Sequence, residues 1–179
     1  MERDNSIDFL DDEFDDEEEA TLEDMYLVFN CRDKHYGIEI RYVTEIVAMQ
    51  SITEVPDLPE YFKGLINLRG RVFPVMDVAI RFNQPQAEYN ERTCFVIASY
   101  ENSILGLIVD GVEEVVRIPE SEIEPPPNMG DAYHNRFIQG MGKVRSDVVI
   151  LLDIHNLIHD EETKQAGSAA KDIKEQGFE

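Results

Sequence analysis

The sequence has no tryptophan, only two cysteines, and 16 basic residues against 38 acidic ones. No run of apolar residues approaches the roughly 18 that a membrane-spanning helix needs. Cys31 and Cys94 lie in separate apolar stretches, which is typical of a reducing compartment rather than of a domain held together by disulfides. The amino terminus does not have the basic-then-apolar order of a secretory signal, so we expect a cytoplasmic protein.

Negative charge dominates what is present, with a formal net charge of -22. A field of this sign repels phosphate backbones and anionic lipid headgroups, so we expect neither nucleic acid binding nor direct membrane insertion. Residues 1–24 contain thirteen of the acidic side chains and a single basic one, Arg3. We expect these residues to form an acidic, disordered leader. The alternative is a segment that attracts a basic partner, with Phe9, Leu10 and Phe14 as apolar anchors.

Short apolar runs begin at Met25. In residues 36–40 apolar side chains alternate with others, the period of two that is typical of a half-buried strand. Similar runs of four to eight residues follow, rich in valine and isoleucine and separated by Gly, Pro, Asn or Asp. This pattern predicts a mainly β fold of the barrel or sandwich type. A short helix is expected over residues 153–159. Residues 160–179 are expected to form a polar C-terminal tail, with a C-terminal helical segment that is frayed or gives way to irregular chain.

The sequence also repeats itself, first at a shift of 69 residues and then, beyond Pro56, at a shift of 76. The repeat predicts two copies of a five-strand unit. A unit of about 70 residues is only marginally stable alone, so we expect the copies to pack together with a groove between them. The nine identities are Gly37 with Gly106, Val43 with Val112, Glu45 with Glu114, Val47 with Val116, Pro56 with Pro125, Gly64 with Gly140, Arg69 with Arg145, Val72 with Val148 and Asp77 with Asp153.

No catalytic or cofactor-binding constellation stands out. The sequence contains no glycine-rich phosphate loop, no nucleophile elbow and no Cys-x-x-Cys motif. His155 and His159 are four residues apart, a spacing that suits metal ligands on a helix, but no third ligand is evident nearby. We therefore interpret them as surface histidines and predict no metal site, no cofactor and no enzymatic activity.

Residues suited to recognition are more prominent. The segment from Asn67 to Gly70 lies between two apolar runs and predicts a tight turn that displays Arg69. Arg69 is expected to pair with a carboxylate, and Glu45 is the candidate. Such a pair either orders the turn internally or presents a rigid surface to a partner. Met129 lies in a proline-rich insertion that has no counterpart in the first copy, and it is either tucked beneath its loop or available to a partner.

These segments resemble the CheW chemotaxis coupling proteins from about Met25 to Ile158. The resemblance is most specific in the Asn-Leu-Arg-Gly segment at residues 67–70, and the Val-Asp-Gly-Val segment at residues 109–112 supports it. It implies two five-stranded SH3-like barrels, a first at about residues 25–85 and a second at about residues 92–155, within a CheW-like domain of residues 25–159. It also implies a non-catalytic adaptor that couples chemoreceptors to the histidine kinase CheA in membrane-associated arrays.

The resemblance further implies roles for individual residues. Leu27, Ile40 and Val43 match an apolar patch that binds the regulatory domain of the kinase. Met129 matches a second kinase contact, at which many relatives have an aromatic residue. Glu45, Ile46 and Arg69 match positions implicated in binding the receptor tip, whereas Asn67 and Gly70 shape the turn.

Two other functions remain open at this point. One is a metal-dependent hydrolase on a small β barrel that uses His155 and His159. The other is an adaptor-like inhibitor that masks the kinase contact with its acidic leader.

Overall fold

The computed structural model describes residues 22–126 and 136–175, so nearly all of the acidic leader, and Met129, lie outside the described residues. The mainly β fold is confirmed. Within these ranges, the helices α1 (Val78–Arg81), α2 (Ile154–His159) and α3 (Glu161–Glu175) accompany ten strands. The ten strands are β1 (Met25–Cys31), β2 (Lys34–Glu39), β3 (Val43–Ala48), β4 (Phe62–Leu68), β5 (Arg71–Asp77), β6 (Cys94–Tyr100), β7 (Ser103–Val109), β8 (Gly111–Arg117), β9 (Ile138–Val144) and β10 (Asp147–Leu152).

The strands form two five-stranded sheets, each drawn from both halves of the sequence. Sheet A has the order β8-β1-β2-β10-β9 and sheet B the order β3-β6-β7-β5-β4. The prediction of continuous barrels at residues 25–85 and 92–155 therefore does not correspond to the sheets. The chain crosses from one sheet to the other through the 3-10 turn Ile40–Tyr42 and again between β7 and β8 at Asp110. Each copy thus exchanges strands with the other.

The internal repeat is present in three dimensions. When each strand of β1 to β5 is matched with its counterpart in the other copy, the order of sheet A becomes that of sheet B. Each sheet has one parallel pair at the equivalent place, β2 with β10 and β5 with β7. Asp77 and Asp153 also have one role, because each side chain accepts a hydrogen bond from the first turn of the helix that follows.

A single backbone bridge connects the two ends of each sheet. In sheet B the chain leaves the edge strand β3 and brings Thr53 to Leu65 of the opposite edge strand, β4. In sheet A, Glu124 reaches Met141 of β9 in the same way after β8. Among the described residues the end strands do not pair directly with each other. The sheets are therefore open in their strand ladders, although they fit the SH3-like architecture.

Three apolar clusters stabilise this arrangement. One lies within sheet A around Val28 and Leu151, and a second lies within sheet B around Phe73 and Ile97. The third is shared between the sheets and includes Leu27, Phe29, Tyr36 and Ile38 from sheet A with Val96, Ala98, Leu105 and Leu107 from sheet B. Strands β1 and β6 have an apolar cluster on each face. Their amino-acid sequences are therefore continuous apolar runs and do not alternate between apolar and polar residues.

The expected C-terminal helical segment is confirmed, and it is packed on the domain rather than frayed. Residues 161–175 form helix α3, which packs on β5. Its inward face consists of Thr163, Ala166 and Ala170, which are all buried and spaced by three and four residues, as one side of a helix requires. These small side chains give a weak apolar signal, so the sequence did not reveal the packing. Within the described ranges, no helix has the length and apolar character needed to cross a bilayer.

Replacing Gly64 by alanine is expected to destabilise the fold strongly. Gly64 has a φ of 141°, and an added Cβ would lie 2.1 Å from the backbone oxygen of Thr53, at the bridge that connects the ends of sheet B. Strain of this kind costs about 2–4 kcal/mol. Urea unfolding of Gly64→Ala against the parent protein measures it.

The matched control is Gly167→Ala in helix α3. A Cβ there meets nothing within 4 Å. Alanine in a helix interior is expected to raise the free energy of unfolding by about 0.5–1 kcal/mol. A loss of stability in this variant would contradict the assignment of residue 167 to an uncrowded helix.

Candidate functional site

Arg69 is displayed by a two-residue turn between β4 and β5. Leu68 and Arg71 form the last pair of the ladder, which leaves Arg69 and Gly70 as the loop. Both have positive φ angles, 52° and 85°, as a type I′ hairpin turn requires. The side-chain oxygen of Asn67 accepts a hydrogen bond of 3.0 Å from the backbone N–H of Gly70. The turn therefore holds the backbone of Arg69 in one conformation.

The guanidinium of Arg69 forms an ion pair with Glu45 on β3. This pair joins the β4–β5 turn to the edge strand at the opposite end of sheet B. The Arg69 side chain is 67% exposed and that of Glu45 33%, so solvent screens their attraction. Exposed pairs contribute only about 0–1 kcal/mol to stability. The contact is thus better suited to orienting a surface arginine than to stabilising the fold.

Ile46 lies beside this pair but on the other face of β3. Burial alternates along the strand, so that Glu45 is half-buried whereas Ile46 is 45% exposed. The three residues predicted to bind a receptor are therefore close together along one sheet edge. They do not form a single flat patch, and a partner that contacts all three has to wrap around the edge strand.

The same arrangement recurs in the second copy, which the sequence analysis did not predict as a surface. Arg145, in the turn after β9, pairs with Glu114 on the edge strand β8. Val115, the counterpart of Ile46, is 46% exposed. The identities of Glu45 with Glu114 and of Arg69 with Arg145 contained this signal. The recurrence shows that the ion pair belongs to the architecture of the repeat.

The predicted kinase-binding residues divide into two groups. Leu27 is 2% exposed and lies in the cluster shared by the sheets, so its side chain has no surface to offer and its prediction as a contact residue is wrong. The reason is that β1 is covered on both faces. Ile40 and Val43 are only partly buried, and they pack over the shared cluster where the chain crosses between sheets.

An aromatic group lies beside this crossing. The ring of Tyr42 contacts that of Tyr100 at a centroid distance of 5.6 Å. Tyr100 in turn meets the edges of His155 and His159, and the two histidines stack on each other at 4.4 Å. The sequence did not indicate this group because its members are as far apart as residues 42 and 159. Burial raises the pKa of Tyr42.

The described residues assemble no group of three or more His, Cys, Asp or Glu side chains that suits a metal ion. Burial raises the pKa of the Cys31 thiol well above its usual range, and it also raises that of Cys94. Because the thiolate is the reactive form, burial disfavours the reactive state of both sulfurs, and more strongly for the fully buried Cys31. The exposed arginines and apolar side chains at the two sheet edges are features typical of surfaces that bind other proteins.

Comparisons with known proteins agree with this class. The sequence model of the CheW-like domain matches residues 25–162. The chain is 30% identical over 151 residues to the chemotaxis protein CheW of Klebsiella aerogenes, covering 84% of this chain and 91% of that one. It is 34% identical over 140 residues to the chemotaxis protein CheW of Bacillus subtilis, covering 78% and 89%.

A solved structure gives the same result. The crystal structure of the scaffolding protein TtCheW from Thermoanaerobacter tengcongensis matches with a TM-score of 0.70 and 34% identity, over 78% of this chain and 90% of that one. The chain belongs to the CheW family. The comparisons support a non-catalytic coupling adaptor, and they support neither the hydrolase nor the inhibitor alternative.

The Arg69–Glu45 pair is expected to contribute little to folding. In a double-mutant cycle of Arg69→Ala and Glu45→Ala, the coupling energy should be about 0.2–1 kcal/mol, because both side chains are partly solvated. Chemical unfolding measures it, and the cycle of Arg145→Ala and Glu114→Ala serves as the matched comparison. A coupling energy several times larger would show that the pair is a structural element of the fold.

Proposed function

We propose that this protein couples chemoreceptor cytoplasmic tips to the regulatory domain of the histidine kinase CheA. The observation that supports it most directly is the match of the CheW-like family over residues 25–162, combined with two separate candidate contact surfaces on one fold. In this proposal the protein is cytoplasmic and reaches membrane-bound receptor arrays through its partners.

The receptor contact is assigned to Glu45, Ile46 and Arg69. Arg69 is fixed by its turn and by Glu45, so binding a partner costs little side-chain entropy. Ile46 supplies an exposed apolar side chain on the adjacent strand. A receptor tip with an apolar side chain and a carboxylate at matching positions would bind this edge of sheet B.

The kinase contact is assigned to Ile40 and Val43, together with Met129. Ile40 and Val43 lie where the chain crosses between the sheets, and the shared cluster supports them from beneath. Met129 lies outside the described residues, so its part in the contact rests on the resemblance of its loop alone. Leu27 contributes to this surface only indirectly, as a buried support.

Such an adaptor acts mechanically. Binding two partners at once fixes their spacing and raises their effective concentration relative to each other. The state of the receptor shifts the kinase equilibrium only if the contacts through the adaptor differ in free energy between the two kinase states. The shared cluster makes the two sheets one packed body, which is what transmission of a small displacement between partners requires.

Arg69→Ala is expected to weaken binding of a receptor tip by about ten-fold or more, since it removes a charged hydrogen-bond donor from the contact. Titration calorimetry with a soluble receptor-tip fragment measures the affinity. Thermal unfolding of the same variant should be nearly unchanged, because the ion pair is exposed.

Arg145→Ala is the matched control, since Arg145 also lies in a two-residue turn, pairs with a glutamate and is similarly exposed in the second copy. It should leave receptor affinity within about two-fold, less than 0.5 kcal/mol. Equal losses in the two variants would contradict the assignment of the contact to the first copy.

Val43→Ala is expected to weaken binding of the isolated kinase regulatory domain while receptor binding is retained. Removing methyl groups from the centre of an apolar contact costs about 1–2 kcal/mol, or roughly 5- to 30-fold in affinity. Surface plasmon resonance with each partner separately measures the two effects. Parallel weakening of both partners would indicate a general loss of structure and would remove Val43 from the kinase contact.

A further inference from the structure

A pocket of about 530 Å³ lies between helix α3 and the edge of sheet B, and neither proposed contact uses it. Its walls come from the start of β5, the β6–β7 turn and one face of α3. Gly167, Ser168 and Ala170 leave the space open, because these helix residues have little or no side chain. We call this space the α3 pocket.

The rim of the α3 pocket is basic. Arg71, Lys164 and Lys171 line it, and no carboxylate is among its lining residues. Glu161, Glu162 and Asp172 of α3 are not among the residues that line it. Within the described part of the chain, none of the three cations forms an ion pair. On a chain with a net charge of -22, such a concentration of positive charge indicates an anionic occupant.

The floor of the pocket is apolar, with Phe73, Ile104 and Ile158 as its larger side chains. The hydroxyl of Thr163, which also lines the pocket, is buried and has no hydrogen-bond partner. Buried polar atoms without a partner are rare in folded proteins. An occupant with both apolar and acidic groups would therefore suit the floor and the rim together.

The acidic leader has this composition. Within residues 1–21, Phe9, Leu10 and Phe14 are interspersed among eleven acidic side chains. The remainder of the chain, residues 25–179, has a net charge of -10 and repels the leader in general. A second pocket, of about 410 Å³ beside Leu22, would repel it too, because Glu23, Asp24, Glu39 and Glu120 line that pocket with Arg41 as the one basic residue.

The leader can extend far from Leu22, at which the described part of the chain begins. Phe9 is 13 residues from Leu22, and an extended chain of that length spans about 45 Å. A compact domain of this size has a diameter of about 40 Å, estimated from its radius of gyration. Tethering makes the contact intramolecular, and its effective concentration depends on how the distance from Leu22 to the pocket compares with the length of the tether.

From these observations we propose that the acidic leader binds the α3 pocket of its own chain. The aromatic and aliphatic anchors face the apolar floor, and the carboxylates face Arg71, Lys164 and Lys171. In that position the leader lies next to the turn that displays Arg69, because Arg71, which follows this turn in the chain, belongs to the pocket rim.

Paramagnetic relaxation in the full chain tests the proposal. A nitroxide is attached at Ser6→Cys, which changes none of the acidic or anchor residues, in a Cys94→Ala background. Cys31 remains unlabelled because it is buried and its pKa is raised. The amide signals of Val72, Gly167 and Lys171 should be lost from the nitrogen-15 spectrum and should return when the nitroxide is reduced.

The discriminating variant is Lys164→Glu with Lys171→Glu, both exposed positions at which glutamate suits a helix. It should restore the signals while the rest of the spectrum stays unchanged. The control, Lys34→Glu with Lys143→Glu, makes the same charge change on sheet A and should leave the signals lost.

Three results would overturn the proposal. The first is the absence of any effect at the α3 pocket. The second is an equal recovery of signal in both charge variants, because the leader would then respond only to net charge. The third is an equally strong effect when nitroxide-labelled, nitrogen-14 chains are mixed with unlabelled, nitrogen-15 chains, since the leader would then bind a second copy.

Discussion

The apolar cluster shared between the two sheets is the constraint on which the rest of this structure depends. It takes its side chains from β1 and β2 of one sheet and from β6 and β7 of the other. Because each sheet combines two strands of one copy with three of the other, neither copy contains a complete sheet. Burial of the shared cluster therefore fixes the sheets relative to each other, and with them the spacing between the crossing at Ile40–Tyr42 and the turn at Arg69.

Repetition gives this fold two similar edges that are not equivalent. The ion pairs Arg69–Glu45 and Arg145–Glu114 lie at equivalent places because a two-residue turn follows the equivalent strand in both copies, although only the second pair is bidentate. Helix α3 breaks the symmetry, since it packs on β5 of sheet B. The basic pocket exists only because of that helix. A duplicated adaptor of this kind is able to present different chemistry on each sheet while it retains one architecture.

The sequence predicted the strand content, the repeat and the partnership of Glu45 with Arg69, because periodicity and glycine positions determine these locally. It did not reveal the strand exchange, since identities between copies are the same whether strands pair within a copy or across copies. The burial of Leu27 was predictable in principle, because a continuous apolar run such as Met25–Phe29 indicates a strand with both faces covered. A C-terminal helical segment was expected, but the packing of helix α3 was not, because Ala166 and Ala170 bury little apolar surface.

The parallel pairing of β2 with β10 has a consequence for synthesis of the chain. Every strand of sheet B has been made once Val109 is complete, whereas sheet A lacks β8, β9 and β10 at that point. At a translation rate of about 5–20 residues per second, the missing strands take roughly 2–9 seconds to appear. During that interval the β1–β2 hairpin, with Phe29 and Tyr36, has no neighbour for its β2 edge. An unpaired strand edge is a site at which another chain can add a strand, so this interval is one in which the nascent chain is exposed to aggregation.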